Sequence, residues 1–276
     1  YGLPTSGRKE TVESLDRAAV RELHRRFFVP GNAIVSVSGD VDADRFVAAL
    51  RSVFGGWGAK AGADSSSDST PAPPAITPGA RRIIIADKPD LNQARIVIAH
   101  EGIARKDPRR ITAGLMNATL GGSGFSSRLM AKLRSEEGLT YGVRSGFGMR
   151  SQPGPFSIST FTRVAETRRA VDLLLEQLEG IRTHRPQSPA ELADAKSYLV
   201  GQFGLGLETS AAVASGLVSL DVYGLPADSL DTYRARVSQV TAAQTRRAAE
   251  ELLHPSRAAI VLLGPADVLV PQFEDM

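Results

Sequence analysis

The chain has no cysteine in 276 residues, so neither a disulfide framework nor a thiolate zinc ribbon can staple it, and a cysteine nucleophile is excluded. Histidine is scarce too. His24, His100, His184 and His254 stand 70 or more residues apart, and none has a second histidine within helical reach. A catalytic zinc takes about three protein ligands, two of them on one helical face as in H-x-x-x-H or H-x-x-E-H. No local zinc site is therefore written in this chain. Charge of one sign is not concentrated: 33 basic and 30 acidic side chains are interspersed, which leaves no basic block to track phosphates and gives no support for a nucleic-acid partner. No apolar run approaches the roughly 18 residues that a spanning helix needs. No serine stands in G-x-S-x-G, and the Gly-Gly-Ser-Gly at 121–124 lacks the Lys-Ser/Thr ending of a phosphate loop.

What is present is ordinary globular composition, 42% hydrophobic and 23% charged, at a length that suggests about two domains. Residues 58–80, rich in Ser, Pro, Ala and Gly, read as a linker between a segment 1–57 and a unit 81–276. In the first segment Asp16 is positioned to cap an amphipathic helix carrying Val20, Leu23 and Phe27. AIVSVSG follows as a predicted strand, and Asp42 opens a second helix through Leu50. Asp40, Asp42 and Asp44 imitate the start of a calcium loop, but Arg45 and Arg51 occupy its sixth and twelfth positions, so the run reads as a strand-to-helix turn.

In the second unit RRIIIAD and QARIVIAH read as strands, and Asp107 caps a helix carrying Ile111, Leu115 and Ala118. Ser126 or Ser127 then caps a helix through Arg134, Gly138 stops it, and a strand runs from Thr140 to Phe147. A turn at Pro153-Gly154 leads into FSISTFT. Helices fill Glu166 to Leu253, with breaks near Arg185–Ser188 and Gly224–Pro226, and AAIVLLG is the last strand. The class is α+β, a two-layer α/β arrangement with an antiparallel-rich sheet packed against helices.

The chain also repeats itself. A shift of 225 residues lays helix plus FFVPGNAIVSVSGDVD on helix plus LLHPSRAAIVLLGPAD, bringing Pro30 onto Pro255, Gly39 onto Gly264 and Asp42 onto Asp267. The later copy closes a unit that begins near Arg81. The unit closed by the earlier copy is therefore expected to begin roughly 144 residues ahead of Tyr1, and a half-domain of this kind needs a partner or its own missing half. Of the histidines, His24 falls on a solvated helix face, and His184 and His254 fall at helix ends, where an imidazolium complements the dipole. His100 beside Glu101 is a weak ligand pair.

Arg134 and Tyr141 stand seven residues apart across Gly138, at a junction that turns both toward one cavity. A guanidinium and a phenol both donate hydrogen bonds and hold their protons, which suits a peptide carbonyl or the oxyanion formed from it. The same spacing equally allows an arginine that compensates a helix C-terminus and a common strand aromatic.

At these residues the sequence resembles the pitrilysin and insulinase family of zinc metallopeptidases, in particular its shorter branch related to mitochondrial processing peptidase. NQARIVIAH, NATLGG, SSRLMAKLRSEEGLTYGVRSGF and GQFGLGLETSAAVASGL are similar to the family's second unit, and YGLPTSGRKETVESL through Trp57 to the last third of its first. The resemblance implies two homologous units facing each other as a clamshell. It implies that zinc and its H-x-x-E-H motif lie outside this segment, upstream or on a partner subunit, because the counterpart helix here, Ile111 to Leu120, holds no histidine or glutamate. It further implies that Arg134 and Tyr141 bind substrate, with Gly121, Gly122 and Gly124 lining the entrance. The chain is then the non-catalytic, substrate-binding half of an endopeptidase acting on peptides or unfolded polypeptides, paired with a homologous catalytic unit. A scaffold subunit that kept the fold without peptidase activity is the alternative. Location in the cell is not legible.

Overall fold

The computed structural model describes residues 4–57 and 79–276. The predicted linker lies outside the described residues except for Gly79 and Ala80.

The chain divides into two compact units. One comprises the described part of Tyr1–Ala75 with Leu207–Val222, the other Ile76–Gly206 with Tyr223–Met276. The first begins with α1 (Lys9–Glu13), α2 (Arg17–Phe27) and α3 (Ala43–Phe54). The caps read from the sequence form: the Asp16 carboxylate accepts from the Ala19 amide at 2.8 Å, and that of Asp42 from the Arg45 amide at 2.7 Å. The strand expected at AIVSVSG does not. Residues 33–39 pair with no strand among the described residues, and a strand needs neighbours for its amides and carbonyls.

In the second unit β1 (Arg82–Asp87), β2 (Gln93–Glu101), β3 (Val143–Phe147), β4 (Pro155–Arg163) and β5 (Ala259–Gly264) form one sheet in the order β1-β5-β2-β4-β3. Only β1 and β5 run parallel, so the sheet is antiparallel-rich as read from the sequence. Ile98 pairs with Ile158 on one side and Ile260 on the other. That buried row meets Leu174, Leu178 and Ile181 of α6 (below) in the main core, each side chain contributing about 2 kcal/mol by leaving water.

The helices follow in chain order: α4 (Arg110–Asn117), the short α5 (Arg128–Met130), α6 (Thr167–Arg182), α7 (Pro189–Leu205), α8 (Ser210–Tyr223), α9 (Tyr233–Ser238), α10 (Ala242–Leu252) and α11 (Ala266–Leu269). Most of α8 belongs to the first unit. Ile111 and Leu115 of α4, Leu192 and Ala195 of α7, and Val237 of α9 make a second apolar cluster. Asp107 accepts the Arg109 amide at 2.8 Å, so it caps the Pro108 turn, and regular helix begins only at Arg110. The chain also breaks between α7 and α8, at 206–209, where no break was expected. Among the described residues no single helix is long and apolar enough to cross a membrane.

Candidate functional site

The segment carrying Arg134 is helical but not uniformly so. Ser127 precedes α5, yet its hydroxyl donates to the Gly124 carbonyl at 2.7 Å instead of capping the helix. After α5 the chain widens into a π-helical turn, Ala131–Glu136, in which the Glu137 amide reaches back to Lys132 O at 3.1 Å. Such i→i+5 turns are uncommon and concentrate at functional sites. Leu129 and Leu133, fully buried, hold the inner side of this segment against the core. Gly138 at φ +60° ends it in the left-handed region that favours glycine, and the Leu139 amide donates back to Leu133 O at 2.8 Å.

Tyr141 is fixed by its neighbours. Thr162 donates to the Leu139 carbonyl at 2.7 Å, while Thr160 donates to Thr140 Oγ1 at 3.0 Å and to the Gly142 carbonyl at 2.9 Å. Because these groups are committed to side chains of β4, β3 begins at Val143 and not at Thr140 as expected. Tyr141 is left outside the ladder with its ring projecting.

The structure brings Arg134 and Tyr141 together and adds a third side chain that the sequence reading missed. The guanidinium carbon of Arg134 lies 4.6 Å from the ring centroid of Tyr141 and 4.6 Å from that of Phe125. The two rings are 76% and 72% exposed, so the cluster stands on an open face and not within a closed cavity. Each ring offers its negative face to the cation. Among the described residues none of the five N–H donors of this guanidinium makes a hydrogen bond. Among the described residues no carboxylate pairs with Arg134. The sequence signal for Phe125 was its place directly after Gly121–Gly124, a bulky aromatic in an otherwise small-residue loop.

The three glycines have different surroundings. Gly121 is buried in a second π-helical turn, Ala118–Gly122, where a Cβ would come within 2.5 Å of Ser145 Oγ and 2.7 Å of Leu129 Cδ1. A Cβ on Gly122 would meet Asn117 Nδ2 at 2.6 Å. This close approach lets Ser145 donate to Asn117 Oδ1 at 2.7 Å and lets Asn117 Nδ2 donate to the Ser145 carbonyl at 3.1 Å, tying the turn to β3. Gly124, at φ +63°, has open space around it and turns the loop that carries Phe125.

Charged pairs brace the surroundings. Arg128 grips Glu191 through two bonds of 2.7 Å and donates to the carbonyls of Arg185 and Pro186, locking the start of α7 to α5. These bonds hold the Glu191 carboxyl down at about 2. Glu137 bonds Lys132 and Arg169, and the Lys132 contact in particular keeps its carboxyl below the ordinary range.

His100 is buried, its Nδ1–H donating to the Glu101 carbonyl at 2.7 Å and its Nε2 accepting the His254 amide at 3.2 Å, a pattern that fixes the neutral tautomer. Burial lowers the pKa of both histidines, and that of His254 falls to about 4 with Arg257 as the next cause. His254 is therefore neutral near pH 7, and the helix-end imidazolium expected from the sequence does not form. Among the described residues no three His, Asp or Glu side chains converge on a metal-sized site. Ile111, Leu115, Met116 and Leu120, on the segment that the resemblance sets against a zinc-binding helix, are core residues. The residues described do not fit a zinc ion.

Residues 14–199 match the family model for the peptidase M16 inactive domain. An uncharacterized zinc protease of Streptomyces coelicolor is 28% identical over 269 residues, covering 96% of this chain and 57% of that protein. Another from Mycobacterium tuberculosis is 29% identical over 273 residues, covering 96% of this chain and 59% of that protein. The crystal structure of a peptidase M16 inactive domain from Pseudomonas fluorescens superposes with a TM-score of 0.80 at 27% identity, over 96% of this chain and 61% of that one. The chain thus spans a little over half the length of these curated relatives.

Proposed function

Because the chain belongs to the peptidase M16 inactive domain family, we propose that it is the substrate-binding, non-catalytic half of a zinc-dependent endopeptidase that cleaves peptides or unfolded polypeptides within a closed chamber. The observation that carries this reading is the stack of Phe125, Arg134 and Tyr141, a cation held between two exposed rings with no acidic partner among the described residues. Arg134 donates to a substrate carbonyl through its free edge, and the Tyr141 hydroxyl supplies a second donor. Both strengthen as negative charge develops on that oxygen. β3 is an edge strand of the sheet and starts two residues after Tyr141, so an extended peptide can add to that edge and pass the stack. Zinc, its ligands and the general base belong to the catalytic unit, where the metal activates water; Gly121, Gly122 and Gly124 shape the loop at the entrance.

The partner in this reading is a homologous unit. Residues 33–39 repeat β5, which is flanked by β1 and β2, and they have no such flanking strands among the described residues. Two strands of the partner, placed as β1 and β2 are around β5, would complete them. The test is cleavage of an unstructured peptide by the complete protein, with and without chelator, beside this chain alone. Chelator-sensitive cleavage by the complete protein only is expected. If the complete protein, supplied with any separate H-x-x-E-H partner, cleaves nothing, the scaffold reading replaces this one.

A further inference from the structure

The side chains at the start of β3 alternate. Val143 and Ser145 are buried on the core side and Arg144 between them is exposed, as successive strand positions require. β3 and β4 pair Val143 with Thr160 and Phe147 with Phe156. Continued by two residues, that register would set Tyr141 opposite Thr162 and on the same face as Val143, the face turned to the core. Tyr141 is instead 76% exposed. The ladder is therefore stopped ahead of Val143, and something other than strand pairing holds the backbone there.

Three buried threonines do both. Thr140, Thr160 and Thr162 are 8%, 5% and 1% exposed. The Thr140 hydroxyl accepts the Gly142 amide at 3.1 Å and donates to the Gly142 carbonyl at 3.0 Å, closing a tight loop over Tyr141. Thr160 adds a donor to the same carbonyl at 2.9 Å, and Thr162 donates to the Leu139 carbonyl at 2.7 Å. Three backbone groups that flank Tyr141 are thus taken by hydroxyls. Two of those hydroxyls come from β4, the neighbouring strand, so the segment is tied to the sheet without joining it. Valine at 160 or 162 would keep the branched shape and the burial and remove only the donor.

We infer that Thr160 and Thr162 are positioning residues for Tyr141: their hydroxyls halt the ladder and hold the phenol out of the sheet, on the side of Arg134 and Phe125. Neither residue touches the substrate, and both act through the backbone on either side of Tyr141. The inference rests on the substrate-binding reading above for what the phenol does, and adds what keeps it in place.

The experiment compares the complete protein with a double variant, Thr160→Val with Thr162→Val, and with Thr160→Ser with Thr162→Ser, which keeps both donors. Amide hydrogen exchange is read first. Residues 140–142 should exchange about tenfold faster in the valine pair while the rest of β4 stays protected, and at close to the wild-type rate in the serine pair. Unchanged exchange in the valine pair overturns the inference whatever the turnover. Cleavage of an unstructured peptide is read second, at matched zinc content. The valine pair should lower kcat about tenfold or more with little change in KM, and the serine pair should lower it less than about threefold. In a Tyr141→Phe background the valine pair should cost less than about twofold, because the hydroxyl it positions is gone. An equal loss in both backgrounds overturns the positioning role, since a general structural defect acts with or without the phenol. If Tyr141→Phe alone turns over at the wild-type rate, the substrate reading fails, and exchange then decides whether the threonines hold the segment.

Discussion

Residues 17–39 and 242–264 follow one plan at a shift of 225 residues. α2 (Arg17–Phe27) and α10 (Ala242–Leu252) coincide end to end, their caps Asp16 and Thr241 coincide, and the one-turn 3-10 segments Pro30–Asn32 and Pro255–Arg257 coincide as well. Their environments do not. Thr245, Ala248 and Leu252 are buried, whereas Val20, Leu23 and Phe27 at the matching positions are exposed. Ile260 is 0% exposed in the middle of β5, and its counterpart Val35 is 58% exposed with no ladder around it. The difference separates two kinds of information. Caps, periodicity and the Pro turn act within a few residues and shape both copies alike. A strand is a property of its neighbours, and only the later copy has them among the described residues.

Several substitutions sharpen or break that comparison, and the largest contrast is expected at the strands. Ile260→Asp puts a charge between β1 and β2 and should cost more than about 4 kcal/mol, leaving the second unit unfolded in urea titrations followed by circular dichroism. Val35→Asp should change the stability of this chain by less than about 1 kcal/mol and instead weaken its union with the homologous unit, read by co-sedimentation. Equal destabilisation by the two would erase the distinction. The helices give the next contrast: Leu252→Ala should cost about 2–4 kcal/mol and Phe27→Ala under about 1.

Within the second unit, Arg128→Ala removes the grip on Glu191 and should cost about 1–2 kcal/mol at pH 7. That interaction is in full force above the ordinary Glu value of 4.5 and is lost as pH falls toward about 2. The smallest effect is set by His254, whose pKa is lowered from 6.5 to about 4. The unfolded chain binds the extra proton between those values, so stability should decline as pH drops from 6.5 to 4. His100, Arg257 and Arg182 face this ring, and Glu251 and Arg82 share its cavity wall. His254→Gln should flatten the melting temperature across that window, and an unchanged slope would move the cause to other groups.

Much of the fold was legible because it is punctuated locally. Asp16, Asp42, Gly138 and Pro153-Gly154 each mark a boundary by a backbone requirement, and the alternation in QARIVIAH gives β2 its buried row. Asp107 misled by two residues because its carboxylate serves the Pro108 turn. Thr140 reads as strand by residue type, yet its hydroxyl is drawn into bonds with Gly142 and Thr160. Of the site, the spacing of Arg134 and Tyr141 across Gly138 showed that the two could meet. The π-helical widening at Ala131–Glu136 has no residue signature, and Phe125 joins the stack only through the course of a glycine loop, so neither could be read from spacing. The state of His254 depends first on its burial and then on Arg257, His100 and Arg182, two of them distant in sequence.

The central claim is that the Phe125, Arg134 and Tyr141 face binds substrate for chemistry performed by another unit. Its most direct test is the turnover of the complete enzyme carrying Arg134→Ala or Tyr141→Phe, measured together with zinc content. Turnover lower by about 10- to 1,000-fold, with zinc undiminished, is the predicted result. Wild-type turnover in both variants would contradict it.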